Sequence, residues 1–216
     1  MLTKEQFIKK ISADLTPVHK MPTVGARYLA WLILSLIIVS GALFLIQSYR
    51  PGFFNDLLSD PFYFVETVFS FLPFLLAGLA ALLLSVPGRS VSPWLFRIMI
   101  ASGFLFVGMT VFNLLTQLSV LPHPSNFHRN CVVEILALSW VPILSLVYFA
   151  SQGYAMLTNR LVLLVGAAGA SLPMALMQIA CVSEPGHNLL YHLAPAAVAC
   201  GLFYIFGEKI LEYKRK

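Results

Sequence analysis

"YLAWLILSLIIVSGALFLIQS", residues 28–48, runs through 21 positions without one charged side chain. About 20 helical residues cross the hydrocarbon core of a bilayer. In lipid a single segment can satisfy its backbone polar groups only as a helix. Five further runs of the same kind follow at 61–86, 98–118, 132–151, 161–180 and 189–206, with Glu66 and Glu134 as the acidic interruptions. The chain is 59% hydrophobic and 11% charged, which excludes an ordinary soluble domain. The fold class expected is all-α: a polytopic membrane protein of six transmembrane helices. The first run follows 27 mostly polar residues, and no small-residue cleavage site comes after it. It is expected to be a retained helix, not a removed signal peptide.

Basic residues set orientation in the membrane. All but Arg50 and Arg129 of the 14 lysines and arginines fall on one side of a six-span topology. Both termini are therefore expected in the cytoplasm of a bacterial inner membrane. The net charge of +5 is then explained by topology and anionic lipid, with no direct nucleic-acid contact required. Three units follow: a cytoplasmic amphipathic helix and tether (1–27), the six-helix membrane domain (28–208) and a basic cytoplasmic tail (209–216).

In the first unit, Thr3 and Gln6 have capping-box spacing, and Phe7, Ile8, Ile11 and Leu15 share one helical stripe. Pro17, Pro22 and Gly25 keep the connection to the membrane irregular. The stripe suits either the inner lipid surface or a groove on a soluble partner. In the fifth span, "GAAGAS" (166–171) supplies small residues for close helix approach. Packing within the bundle is the first expectation, and self-association into a homodimer the second. Proline stands inside the fourth, fifth and sixth spans, at 142, 173 and 195.

The outward loops are 49–60, 119–131 and 181–188. They hold or flank His123, His128, His187 and His192, with Cys131 and Cys181. Spans four and five share a short inner connection, so the two cysteines stand at one membrane depth on neighbouring helix ends. They suit a structural disulfide, a reversible thiol switch or two buried thiols. Cys200 lies mid-span and reads as a small apolar filler. Glu134, one turn past Cys131, either lies shallow enough to reach water or pair with Arg129, or serves function; Glu66 has the same two readings. Cys131, Glu134, Cys181, Glu184, His187 and His192 offer sulfur, oxygen and nitrogen ligands for zinc or another soft ion. No C-x-x-C or H-x-x-x-H spacing backs a metal, and otherwise no cofactor is expected.

There is no H-E-x-x-H, no G-x-S-x-G, no phosphate loop and no C-x-x-C pair, so no enzyme is expected. A small membrane transporter or metal-handling protein using the outer Cys/His/Glu cluster remains an alternative, although the span centres are clean of polar groups. A thiol oxidoreductase would need the missing C-x-x-C.

Several stretches together resemble one family. They are "DLTPVHKMP" (14–22), "RYLAWL" (27–32), "NCVVE" (130–134), "CVSEPGHNLLYHLAP" (181–195) and "GEKILEY" (207–213). In order and spacing they are similar to the NrsF-type membrane anti-sigma family, over nearly the whole chain. Many relatives carry proline directly after the second cysteine, where this chain has Val182. The resemblance implies a transmembrane anti-sigma factor that sequesters an extracytoplasmic-function sigma factor at the inner face. It implies stress sensing by Cys131 and Cys181. It assigns sigma capture to the segment around Phe7, Ile8, Ile11 and Leu15, which tips the two readings of that stripe toward a protein partner.

Overall fold

The computed structural model describes Glu5 and residues 21–46, 52–116, 130–153, 159–181 and 185–213. The stripe Phe7, Ile8, Ile11 and Leu15 lies outside the described residues, as does Glu184. The elements are α1 (Val24–Ile46), α2 (Phe53–Ser59), α3 (Pro61–Leu84), α4 (Pro93–Thr116), α5 (Cys131–Ser151), α6 (Asn159–Ala180), α7 (Pro185–His187), a π-helical stretch (Asn188–Leu193) and α8 (Ala194–Tyr213). No strand occurs among the described residues. Among the described residues six helices are long and apolar enough to cross a membrane: α1, α3, α4, α5, α6 and the continuous Asn188–Ile210. This is the architecture expected of a multi-pass membrane protein.

The helix starts explain why some spans begin earlier than the charge-free runs. Thr23 caps α1 by accepting from the Ala26 N–H at 3.2 Å, which draws Arg27 into the first turn. Asp60 accepts from the Phe62 and Tyr63 N–H groups at 2.9 and 3.2 Å, and Pro61 fills the first helical position of α3. α4 begins at Pro93, five residues before the expected 98. The Arg97 guanidinium folds over the Trp94 ring, 5.2 Å from its centroid, so the charge rides on the first turn without ending the helix.

α6 is the axis of the bundle. Nearly every residue from Leu161 to Ala180 is buried, and α3, α5 and α8 pack around it. Its glycines set the spacing. A Cβ at Gly166 would stand 3.2 Å from the carbonyl oxygen and the Sγ of Cys200 on α8. A Cβ at Gly169 would collide with Ile143 on α5. The "GAAGAS" segment therefore packs inside the bundle, as the first of its two readings expected. Lipid is as apolar as the helix surfaces, so close packing and interhelical hydrogen bonds hold such bundles together.

The peripheral helices bury single stripes. On α1 the buried residues are Arg27, Trp31, Ser35, Val39 and Leu43, spaced by four, while Leu29, Ile33, Ile37 and Phe44 face outward. Trp31 anchors this stripe. Its ring lies against Gly78 and Phe74 of α3, and its Nε1–H donates to the Pro142 carbonyl of α5 at 3.0 Å. On α4 the stripe is Ser102, Phe106 and Thr110.

Candidate functional site

Cys131 is the first residue of α5, and Cys181 directly follows α6, its N–H still bonded to the Met177 carbonyl at 2.8 Å. The antiparallel packing of α5 on α6 brings the two sulfurs 3.7 Å apart, both buried. That is hydrogen-bond contact for sulfur, well beyond the ~2.05 Å of a covalent S–S bond.

The chain then re-enters the bundle through α7. Pro185–His187 is helical and runs into the π stretch. There the Ala194 N–H bonds the Leu189 carbonyl, five residues back instead of four. Residues five apart stand about 140° apart around an α-helix. The wider π turn brings His187 and His192 together, their rings 4.9 Å apart and perpendicular. Tyr191 stacks on His187 at 4.8 Å and steadies its ring.

The result is a four-membered cluster. The ligand atoms of Cys131, Cys181, His187 and His192 all lie within 4.8 Å of one another. His187 Nε2 is 3.3 Å from Cys181 Sγ. Cys131, Cys181 and His192 are buried, and His187 is half-buried. The Cys181 thiol is held well below the ordinary thiol range, first by the hydrogen bond from Cys131. Burial opposes that effect, and His187 and His192 add to the lowering. Two sulfurs and two imidazoles at this spacing can share a proton, exchange electrons as a dithiol, or ligate a cation. Glu134 is buried one turn further into α5 but is not a member of the cluster.

A second polar knot lies at the same end of the bundle. Glu66 on α3 accepts from Thr110 Oγ1 on α4 at 3.0 Å and from Gln178 Nε2 on α6 at 3.5 Å. Tyr63 O–H donates to the Gln178 carbonyl at 2.6 Å. Of its members, only Glu66 stands out in the sequence as a charge within a span. Gln178, a lone amide three residues before Cys181 in an apolar run, was the available signal. At the opposite end Arg27 is fully buried, not one more exposed positive charge. Its NH1 donates to Ser85 Oγ at 3.2 Å and to the Phe149 carbonyl at 2.9 Å, tying together α1, the end of α3 and the end of α5.

The family model described as negative regulator of sigma F matches residues 11–213. The chain belongs to the NrsF family. No curated protein and no solved structure matches it. The match spans all six long helices and both halves of the thiol cluster, from the tether before α1 to the last turn of α8. As a family, NrsF proteins are described by negative regulation of a sigma factor.

Proposed function

We propose that this NrsF-family chain is an anti-sigma factor of the bacterial inner membrane, with both termini in the cytoplasm. The N-terminal segment, through Phe7, Ile8, Ile11 and Leu15, holds an extracytoplasmic-function sigma factor inactive at the inner face. The Cys131–Cys181 pair faces the periplasm and reports stress. Family membership over residues 11–213 is the observation that carries this reading. Three features support the finer parts. The even number of spans among the described residues favours both ends of the chain on one side, and the distribution of basic residues favours the cytoplasm for that side. The thiols lie at the bundle end opposite the start of α1, where the tether attaches. Arg27 and Trp31 fasten that first helix to the end of α3 and to the middle and far end of α5, which gives a shift at the Cys131 end of α5 a packed route toward the helix that follows the sigma-binding segment.

The test is capture. Full-length protein and a variant lacking residues 1–15 are each co-expressed with the cognate sigma factor, and sigma is measured in the detergent-solubilised pull-down. The full chain retains sigma and the shortened chain loses it. Equal capture by both removes the N-terminal segment from the account, and capture by neither removes the anti-sigma role.

A further inference from the structure

We propose that Cys131, Cys181, His187 and His192 form a closed tetrahedral site for a divalent cation of the zinc class, assembled by the π turn of Asn188–Leu193. The inference deepens the preceding reading, since it names what the outer thiol site binds.

Donor geometry is the first argument. Zinc–thiolate bonds of about 2.3 Å and zinc–imidazole bonds of about 2.0–2.1 Å, arranged tetrahedrally, set the ligand atoms ~3.8 Å apart for S···S and ~3.6 Å apart for S···N. The Sγ atoms of Cys131 and Cys181 are 3.7 Å apart, and Cys181 Sγ to His187 Nε2 is 3.3 Å. All four donor atoms lie within a 4.8 Å span. Drawing the widest donor pair in from 4.8 Å by about 1 Å completes the tetrahedron. Two cysteines and two histidines are also a standard donor set of closed, structural zinc sites.

Charge is the second argument. Three of the four residues are almost wholly buried at the edge of an apolar bundle, where an isolated ion is costly. A dication with two thiolates and two neutral imidazoles sums to zero. Access is the third. His187 alone is half-exposed, so a cation enters past its ring, and the stacked Tyr191 holds that ring in place.

The backbone itself is the fourth argument. Three separate pieces converge here: the start of α5, the end of α6 and the π stretch. A π turn at the only point where the last span departs from α geometry places His192 over His187, as functional π bulges do. A bound cation would clamp these three helix ends together.

The test uses the full chain purified in detergent, with Co²⁺ as the probe and Zn²⁺ as competitor. The wild type is expected to bind one Co²⁺ per chain. It should show the ligand-field bands of tetrahedral cobalt and a thiolate-to-cobalt charge-transfer band, both abolished by Zn²⁺. Cys131→Ser and Cys181→Ser should each remove a large part of the charge-transfer band. His187→Gln and His192→Gln should keep that band, shift the ligand-field bands and weaken binding about tenfold or more. Cys200→Ser should change nothing. Octahedral cobalt in the wild type, or binding unaltered in both histidine variants, overturns the assignment. If a variant does not fold, the wild type alone decides: Zn²⁺ should raise its melting temperature reversibly to chelator, and no rise overturns the site. Sigma capture is a separate readout. Capture without tetrahedral cobalt rejects the metal site alone, and tetrahedral cobalt without capture rejects the anti-sigma reading alone.

Discussion

Gly78→Ala tests how α1 is seated, and its size can be worked from the contacts. A methyl group at Gly78 would collide with the six-membered ring of Trp31. The indole is fully buried, packs on Phe74 at 4.7 Å and donates to the Pro142 carbonyl at 3.0 Å, so it has no free direction to move. Overpacking a tight core costs about 1–3 kcal/mol. Losing the indole hydrogen bond adds about 0.5–1.5 kcal/mol. Together they give about 1.5–4.5 kcal/mol, and at about 2–4 °C per kcal/mol for a chain of this size the melting temperature falls by about 3–18 °C. In a Trp31→Phe background the shorter ring no longer reaches Gly78, so the added methyl should cost under about 1 kcal/mol. The assay is thermal unfolding in detergent of the four proteins of this double-mutant cycle. An equal loss from Gly78→Ala in both backgrounds refutes the claim that Trp31 on Gly78 seats α1.

Three further outcomes follow from the same geometry. Arg27→Met strands the Phe149 carbonyl, while Ser85 keeps its bond to the Leu82 carbonyl, and should destabilise by about 1–3 kcal/mol, read as a lower melting temperature; Arg27→Lys should recover part of it. One alanine inserted after Leu189 turns His187 by about 100° relative to His192, a displacement of about 8 Å at the side-chain radius of a helix. That exceeds the 4.8 Å spread of the cluster, so cobalt binding should vanish, while an alanine inserted after Gly88 leaves it intact. In a background lacking the three cysteines, Asn55→Cys should react with an impermeant maleimide from outside intact cells and Ser90→Cys only after lysis; the reverse pattern inverts the topology.

The spans were legible because a bilayer imposes a length and forbids charge, and runs such as 28–48 obey both rules. The pairing of Cys131 with Cys181 was legible because a short connection forces spans four and five to be antiparallel neighbours. The histidines were harder. Their positions in the outer region were clear, but ligand spacing is read at three or four residues, the α-helical period, and His187 and His192 are five apart. Only the π turn makes that spacing a pair, and no residue type in "NLLYHL" announces one. Arg27 was legible only as one of the basic residues of the inner side; its burial was not, because the ends of α3 and α5, distant in the chain, supply it with a hydroxyl and a carbonyl inside the bundle. The partners of Glu66 lie 44 and 112 residues away in the chain, a separation that no local pattern encodes.

The central claim is that the site at one end of the bundle controls a sigma factor held at the other. The most direct measurement immobilises the full chain with its sigma factor bound, adds Zn²⁺, and quantifies the sigma released. The account predicts release from the wild type, reversed by chelator, and none from the Cys131→Ser, Cys181→Ser double variant. Retention by the wild type, or equal release from both proteins, would contradict it.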